Sequence, residues 1–346
     1  MLDPQFIRDN PDLVRQAIKN KGLGDAPTVD DLLSTDEARR AALTELQTFQ
    51  QELNEINRQI GPLMKEGKKD EAQPLLKKSA TLKEQVKSVE ETARDHDEKF
   101  DRLMLEIPNV PHESVPLGAS PEDNEITHEW GDMPSFEFEP KPHWELADMH
   151  GLIDFERGAK VTGAGFPFYI GKGARLQRAL IQFFLDQAEE AGYTEMQTPL
   201  ITNEASGIGT GQIPDKEGMM YETEQDGLYL IPTAEVPVTN FLRDEILDAA
   251  DLPIKYAAYT PCFRREAGSY GKDVRGLNRL HQFDKVELVR FVHPDESYEY
   301  LEALREDAER LVQALGLPYR CLLMCTGDMG FTQSKKYDLE VWSAGQ

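Results

Sequence analysis

The stretch Tyr256–Val292, YAAYTPCFRREAGSYGKDVRGLNRLHQFDKVELVRFV, decides the fold of the C-terminal half of this chain. It opens with a β-prone run, crosses a loop that contains three glycines, and returns through a second β-prone run from His281. Two antiparallel strands are therefore predicted. Five cations crowd the loop in a protein of net charge −25: Arg264, Arg265, Lys272, Arg275 and Arg279. Such a local basic cluster is typical of a site for a polyanionic ligand.

Strand alternation predicts which of these side chains share a face, because residues two apart in a strand point the same way. On the return strand Phe283, Lys285 and Glu287 should lie on one face, and Arg264 should share a face with Glu266 on the first. An aromatic ring, cations and carboxylates on one surface are costly to desolvate without a ligand. A solvated sheet face with ordinary cross-strand ion pairs is the alternative.

Three segments resemble class II aminoacyl-tRNA synthetases. Residues 263–287, FRREAGSYGKDVRGLNRLHQFDKVE, resemble the second signature motif in the form that seryl-tRNA synthetases carry. Residues 192–201, GYTEMQTPLI, resemble the first motif, whose proline, here Pro199, builds the dimer interface in that class. Residues 228–235, LYLIPTAE, end in a tripeptide similar to the family's serine pocket. The resemblance implies an α+β fold, an N-terminal antiparallel coiled-coil helical arm followed by an antiparallel-sheet catalytic domain.

The same resemblance implies a reaction and its participants. It implies ATP-dependent activation of L-serine to seryl-adenylate and transfer of the seryl group to tRNA(Ser), with ATP and Mg²⁺ as cofactors and a homodimer as the assembly. It assigns serine binding to five residues: Thr233, Ala234, Glu235, Arg264 and Glu287. It assigns ATP binding to a second set: Arg264, Arg265, Glu266, Leu280 and Phe283. No metal ligand is assigned within this chain.

Individual roles follow from the resemblance in the same way. Arg264 would hold the α-phosphate, Glu266 the adenine amino group, and Phe283 would stack on the adenine. Glu287 would hold the serine ammonium together with Thr233 and Glu235. From the residues alone, Thr233 is better interpreted as the N-cap of a following helix, and the two roles are compatible.

Helical patterns fill the N-terminal third. Residues 4–20 predict a short helix, and Ser34–Glu37 resembles a capping box ahead of a long one. Apolar residues then recur in steps of three and four, first at Leu46, Phe49, Leu53, Ile56, Ile60 and Leu63, and again, after Gly61-Pro62 and Gly67, at Ala72, Leu75, Ser79, Leu82, Val86, Val89, Ala93, His96, Phe100 and Leu103. Two such seams predict an antiparallel helical hairpin, because neither helix can bury its stripe alone.

The tip of this hairpin is basic. Residues 58–87 contain eight Lys or Arg and four Asp or Glu. The bland interpretation is that lysines solvate an exposed hairpin; the other is that they contact a phosphate backbone. In seryl-tRNA synthetases an arm of this kind grips the long variable arm of serine tRNA, which makes six residues candidates for tRNA contact: Arg58, Lys65, Lys68, Lys69, Lys77 and Lys78.

Composition adds expectations about surroundings. The 63 acidic and 38 basic residues suit a cell interior at molar salt, which suggests a halophilic and, given the family, a haloarchaeal source. No apolar run has membrane-spanning length and the N-terminus lacks a signal-peptide pattern, so a cytoplasmic protein with no membrane partner is expected. Cys262, Cys321 and Cys325 are expected to be buried reduced thiols, with no disulfide and no structural zinc.

The remaining expectations concern domains. Residues 1–106 are expected to form the tRNA-binding arm, 107–142 a linker, and 143–346 the class II catalytic core, with helices near 173–191 and 296–316 and strands near 319–325 and 337–342. The family continues beyond this point with a Glu-Ile-Ser-Ser segment and its third motif, so the chain is expected to be C-terminally incomplete and inactive alone. The alternative is a non-catalytic, synthetase-like tRNA-binding or regulatory protein.

Overall fold

The chain forms two compact units in its computed structural model, which describes residues 2–24, 27–216, 218–267 and 275–345. The first unit comprises Met1–Glu125 with Leu323–Lys336, and the second comprises Ile126–Leu322 with Tyr337–Gln346. The functional boundaries expected at 106 and 142 stay predictions. Lys272, expected in the basic loop, lies outside the described residues.

Helices dominate the first unit. Two short ones, α1 (Pro4–Asp9) and α2 (Pro11–Asn20), precede two long ones, α3 (Pro27–Lys65) and α4 (Lys69–Met104). A tight turn that contains Gly67, with a φ of +74°, joins the long pair, and such a left-handed conformation suits glycine because it has no Cβ. The expected long helical hairpin is confirmed.

The hairpin is held along its length by contacts whose residue numbers fall on one helix as they rise on the other. Ser79 Oγ donates a hydrogen bond to Asn57 Oδ1 at 3.0 Å near the tip, and Arg39 pairs with Asp97 near the base. All the seam residues predicted from the sequence are buried or half-buried. The step of three and four therefore identified the contact surface correctly, as expected for two amphipathic helices.

Two local predictions for α3 are wrong. The capping box at Ser34–Glu37 lies inside the helix, which begins seven residues earlier at Pro27. The helix starts there because Val29 and Leu32 are buried against the short helices and α4, so tertiary packing outweighs the local capping signal. At the other end α3 runs through Gly61 and Pro62 to Lys65, and the break falls after them.

A buried lysine ties α2 to the second segment of the first unit. Lys21 follows α2, is 5% exposed, and donates from Nζ to the carbonyl oxygens of Gly330, Phe331 and Gln333 at 2.9, 3.1 and 2.6 Å. Burial lowers the pKa of the Lys21 ammonium from 10.5 to about 8. Between these pH values the unfolded chain binds more protons at this residue than the folded chain does.

A testable consequence is that Lys21→Met changes how stability depends on pH. Because the pKa of Lys21 is lowered in the folded state, the free energy of unfolding of the unmodified chain should rise from pH 8 toward pH 10.5 relative to K21M. The expected slope is at most about 1.4 kcal/mol per pH unit. Urea unfolding of both chains at several pH values measures it. Parallel pH curves for the two chains would contradict it, since other titrating groups cancel in the difference.

The second unit mixes short strands with helices. In chain order its first elements are β1 (Glu125–Trp130), α5 (His143–Met149), β2 (Ile153–Asp154), α6 (Phe155–Val161), β3 (Phe168–Tyr169), α7 (Lys172–Glu190), β4 (Thr194–Glu195) and β5 (Ile201–Thr202). They are followed by α8 (Glu204–Gly209), β6 (Glu222–Thr223), β7 (Leu228–Leu230), α9 (Glu235–Asn240), β8 (Ile254–Phe263), β9 (Gln282–Phe291), α10 (Ser297–Ala314), β10 (Tyr319–Leu323) and β11 (Tyr337–Val341). The expected helices and strands of this half are confirmed within a few residues, and β1 lies in the stretch expected to be linker.

Sheet pairing places β8 at the centre of the site. The strand pairs antiparallel with β9 along ten residues and parallel with the short β4. The other sheets have the orders β1-β10-β11, β2-β3 and β5-β7-β6. Helix α7 packs over this sheet through Ala188, and Tyr193 and Ala257 complete a small core with it. The α+β fold class is confirmed.

Two further properties bear on surroundings. Within the described ranges no helix is both long and apolar enough to cross a membrane. Cys262, Cys321 and Cys325 are buried and carry free thiols, as expected from the sequence.

Candidate functional site

The register of β8 against β9 fixes one face of the site. Phe283 lies opposite Cys262, Lys285 opposite Thr260, and Glu287 opposite Ala258. Directly opposed residues of an antiparallel pair project to the same side of the sheet, so the aromatic ring, the ammonium and the carboxylate share one face as predicted.

Arg264 and Glu266 reach the site by another route than strand alternation. Strand β8 ends at Phe263, so both residues follow it, and Glu266 has a φ of +47°. The expectation that they share a strand face is therefore wrong. The chain turns here because the backbone N–H groups of Arg264 and Arg265 bond to carbonyl oxygens of His281 and Met219, at 2.9 and 2.8 Å, instead of continuing a ladder.

The turn nevertheless brings Arg264 onto the face of Phe283. The guanidinium carbon lies 5.1 Å from the centre of the Phe283 ring, and Nε donates to the carbonyl oxygen of Pro232 at 3.2 Å. A guanidinium held by an aromatic face and one carbonyl keeps donors for a further acceptor. The arrangement can present a fixed cation to an anionic group such as a phosphate.

Next to Arg264 lies a cluster that we call the ammonium subsite, made of Thr233, Glu235, Lys285 and Glu287. Thr233 Oγ1 donates to Glu287 Oε2 at 2.9 Å and accepts from Lys285 Nζ at 2.5 Å and from the Glu235 backbone N–H at 3.2 Å. Lys285 also forms an ion pair with Glu287. Ala234, fully buried between Thr233 and Glu235, positions the start of α9.

The carboxyl of Glu235 sits in an unusual environment. Its side chain is reached by solvent although protein atoms surround it, which is how a group at the bottom of an open concavity behaves. Burial, followed by the nearby Glu287 charge, raises the pKa of Glu235, and Lys285 opposes this. Two carboxylates beside one ammonium leave the ammonium subsite net negative, so it favours a cationic ligand group.

Thr233 also acts close to its expected capping role. Helix α9 begins at Glu235, with Ala234 rather than Thr233 at the N-cap position. The Thr233 hydroxyl still accepts the Glu235 N–H, so one of the helix's otherwise unsatisfied donors is bonded. The prediction was one residue off because the hydroxyl serves the helix from just outside it.

The remaining ATP-site candidates differ in exposure. Glu266 is mostly buried and accepts from Arg279 Nη1 at 3.0 Å. Arg265 is exposed, and Leu280 is buried. The structure thus brings Arg264 and Phe283 together, pairs Glu266 with Arg279, and places Leu280 two residues before β9.

Two histidines hold the segments around this site and were not among the predicted site residues. The His281 ring stacks on Phe166 with centres 5.3 Å apart, and its Nδ1 lies 2.8 Å from the Tyr221 hydroxyl. His143 Nε2 accepts the Leu277 backbone N–H at 2.7 Å, and burial lowers the pKa of His143, which favours the neutral acceptor. Their signal in the sequence was only their membership of the HQF and HWELADMHG segments.

Gly276 shows how closely His143 packs. A Cβ at this position would lie 2.1 Å from His143 Nε2, and its φ is +74°. Arg275, the preceding residue, lies with its guanidinium 5.0 Å from the Trp144 ring centre. The end of the basic loop is therefore fixed by α5, a contact between segments that periodicity could not predict.

The six candidate tRNA contacts of the first unit are all exposed. Arg58 and Lys65 lie on α3 and the others at or after the turn into α4, with Lys68 paired to Glu66 at 2.8 Å. Because this surface presents cations to solvent, it can contact a polyanion without rearranging the hairpin.

A second cluster resembles a metal site but is charge-satisfied. Ligand atoms of His128, Glu309 and Cys321 lie within 4.8 Å of one another. Glu309 accepts from His128 Nε2 at 2.7 Å and from the Tyr319 hydroxyl at 2.8 Å, and it pairs with Arg305. Burial raises the pKa of the Cys321 thiol. A guanidinium already supplies the positive charge, so these residues form a buried ionic network.

Family models match both parts of the chain. Residues 1–111 match the seryl-tRNA synthetase N-terminal domain. Residues 220–346 match the tRNA synthetase class II core domain (G, H, P, S and T).

Similar proteins agree with these matches. The serine–tRNA ligase of Salinibacter ruber is 61% identical over 346 residues, which are 100% of this chain and 81% of that relative. The serine–tRNA ligase of Geobacillus kaustophilus is 50% identical over 343 residues, 99% of this chain and 80% of the relative. The first is bacterial, so a haloarchaeal, halophilic source is not shown and stays a prediction.

Solved structures show the same architecture. The crystal structure of seryl-tRNA synthetase from Pyrococcus horikoshii complexed with ATP has a TM-score of 0.90 at 36% identity, covering 100% of this chain and 81% of that one. The cytoplasmic serine–tRNA ligase from Naegleria fowleri in complex with AMP has a TM-score of 0.84 at 27% identity, covering 100% and 82%.

The non-catalytic alternative is not favoured, since these full-chain relatives are named as ligases. The chain therefore belongs to the seryl-tRNA synthetase family, the serine–tRNA ligases among the class II aminoacyl-tRNA synthetases.

Proposed function

We propose that this chain activates L-serine with ATP at the end of β8 and β9 and transfers the seryl group to tRNA(Ser). The observation that carries the proposal is the juxtaposition of the ammonium subsite with the Arg264 guanidinium on Phe283. One part suits an amino acid's cationic end and the other a phosphate. Activation requires these two groups side by side.

The chemistry is an in-line displacement at phosphorus. A serine carboxylate oxygen bonds to the α-phosphorus, the bond to the bridging oxygen of pyrophosphate breaks, and pyrophosphate leaves with that electron pair. Such a reaction needs positioning and charge neutralisation more than covalent help. Arg264 supplies the positive charge at the α-phosphate, and Thr233, Glu235 and Glu287 orient serine through its ammonium, with Ala234 shaping the pocket between them.

Adenine is placed by a second set of residues in this proposal. Phe283 offers its ring for stacking, and Glu266 accepts from the adenine amino group with oxygen capacity left by Arg279. Leu280 and Arg265 flank this position along the chain. ATP binding by these residues is consistent with the family's use of ATP.

Mg²⁺ enters with the triphosphate in this proposal. Among the described residues of the site, Glu266 is engaged by Arg279, and Glu287 by Lys285 and Thr233. The site therefore does not offer a dedicated set of oxygen ligands, and phosphate oxygens with water are the donors that Mg²⁺ prefers. The charge that Mg²⁺ supplies adds to that of Arg264.

The proposal includes a homodimer in the cytoplasm. Residues 192–201, which resemble the first class II motif, follow α7, where Leu176 is 57% exposed. Exposed apolar side chains beside a motif of this kind favour a subunit interface. Sedimentation equilibrium tests the dimer, and a monomer at all concentrations would contradict it.

The basic tip of the hairpin is proposed to contact the tRNA backbone. Replacing Lys65, Lys68 and Lys69 together by alanine should weaken tRNA(Ser) binding and make the slope of log affinity against log salt shallower by two to three phosphate contacts' worth, roughly 0.9 per contact. Binding is measured by filter retention at several salt concentrations. Serine-independent ATP binding should not change, because the triple variant leaves Arg264 and Phe283 intact.

A matched control uses lysines on the same hairpin nearer its base. Lys83, Lys87 and Lys99 lie on α4, and their triple replacement by alanine removes the same charge. An unchanged salt slope in the tip variant, or an equal effect in both variants, would contradict contact through the tip.

Serine-dependent ATP–pyrophosphate exchange tests the proposed reaction. It is measured on the 346-residue chain and on the chain lengthened to the full span of its relatives, with ATP and L-serine binding to the 346-residue chain followed by calorimetry. Exchange that depends on serine supports the proposal. A lengthened chain that folds yet neither binds serine nor supports exchange would contradict it.

A further inference from the structure

The Thr233 hydroxyl has no hydrogen-bonding capacity left in the ammonium subsite. A hydroxyl offers one proton and two lone pairs. The proton goes to Glu287 Oε2, and the lone pairs accept from Lys285 Nζ and the Glu235 N–H. An incoming ammonium, which can only donate, must therefore displace one of the two donors to bond to Thr233.

Lys285 is the donor that can leave. The Glu235 N–H belongs to the first residue of α9 and is fixed by the helix, whereas the Lys285 ammonium ends a flexible four-carbon side chain that is 30% exposed. Lys285 also pairs with Glu287. Its ammonium thus contacts both partners that the proposed function gives to the ammonium of serine.

Charge balance supports an exchange of one ammonium for another. Glu235 and Glu287 already repel each other, which contributes to the raised pKa of Glu235. Replacing one ammonium by another preserves the pairing of both carboxylates. The displaced Lys285 then needs a new partner, and the carboxylate of an amino acid is the group that arrives at the same moment.

We propose that Lys285 is a specificity-determining residue that fills the ammonium subsite in the ligand-free chain, yields it to the ligand's ammonium, and then pairs with the ligand's carboxylate. This rests on the proposed serine-binding role of Thr233 and Glu287. The site should accept small zwitterionic amino acids and reject amines of the same size, because an amine displaces Lys285 without giving it a partner.

Two probes separate these ligand classes. L-Serine carries ammonium, hydroxyl and carboxylate, whereas serinol, 2-amino-1,3-propanediol, carries ammonium and hydroxyls without a carboxylate. Calorimetry is performed with both probes on the unmodified chain and on Lys285→Met, which retains an unbranched side chain without the charge. In K285M we expect serinol to bind about 10-fold more tightly and L-serine about 10-fold more weakly, so that the preference for serine falls about 100-fold.

Lys255→Met is the matched control. Lys255 lies on β8 opposite Arg290, two residues from the register position of Leu288 and on the other face from Lys285, and its Nζ donates to the Ala191 carbonyl at 3.3 Å. The ratio of serine to serinol affinity should not change in K255M. Lys285→Arg, which keeps a cation at this position, should retain most of the preference for serine.

Distinct outcomes overturn the inference. If K285M weakens both probes by the same factor, Lys285 is only a structural support, and if serinol binding does not improve, Lys285 does not fill the subsite. Failure of the proposed function is recognised separately, as absence of L-serine binding to the unmodified chain, because the serinol gain in K285M does not depend on serine activation.

A second measurement covers a K285M chain that does not fold. Reductive ¹³C-methylation of lysines keeps their charge and gives each an NMR signal, and the Lys285 signal is assigned by its absence in K285R. Saturating L-serine should shift this signal. An unmoved Lys285 signal with serine bound would overturn the exchange.

Discussion

Replacing Arg264 by alanine should reduce serine-dependent ATP–pyrophosphate exchange by about 10²–10³-fold. Removing one preorganised donor at a developing charge has an effect of this size in other enzymes. Arg264 is the cation that lies on the Phe283 ring, and Pro232 orients it through its carbonyl oxygen. Alanine retains no group that could neutralise the α-phosphate, so ATP affinity measured by calorimetry should fall as well.

Stability should change little in R264A. The Arg264 side chain is half-buried and makes one hydrogen bond to the protein, while its backbone N–H bond to His281 survives the substitution. Arg320→Ala is the control, because Arg320 is an arginine of the same unit that pairs with Glu340 and is 49% exposed. Exchange at the unmodified rate in R264A, or an equal loss in R320A, would refute the assigned phosphate role.

The second large effect is expected for Glu287→Gln. Glutamine keeps an oxygen to accept from Thr233 but removes the negative charge that pairs with Lys285 and, in the proposed function, with the serine ammonium. A charged hydrogen bond contributes about 1.5–3 kcal/mol, so serine affinity should fall roughly 10- to 100-fold. ATP affinity should stay within about twofold, because Arg264 and Phe283 are untouched.

Serine titrations by calorimetry at fixed ATP concentration measure this effect. Glu340→Gln, an isosteric change on β11 in the exposed pair with Arg320, is the matched control. Equal serine affinity in E287Q and the unmodified chain would show that Glu287 does not bind the ammonium. Loss of ATP and serine affinity together would instead indicate a disturbed β9.

Local sequence pattern predicted much of the framework. Apolar residues in steps of three and four identified the inner surface of the α3–α4 hairpin, because helix geometry repeats at that spacing. Alternation identified the face shared by Phe283, Lys285 and Glu287. Both rules depend only on neighbours along the chain.

The failures share a cause. The start of α3 was set by burial of Val29 and Leu32, and the placement of Arg264 and Glu266 by a backbone turn bonded to His281 and Met219. In both places a contact with a distant segment outweighed the local signal. The roles of His143 at Gly276 and of Lys285 at Thr233 depend on distant contacts of the same kind.

The order of residues by itself determined the long helical pair, the antiparallel strands, the basic tip in an acidic chain and the family, because periodicity, charge and motif are properties of neighbours in sequence. Only the tertiary structure decided that Lys285 fills the hydrogen-bonding capacity of Thr233 and that Arg264 rests on Phe283. Thr233 and Lys285 lie on different elements, and Arg264 follows the end of β8. Their contact exists only after those segments pack together, which no local pattern encodes.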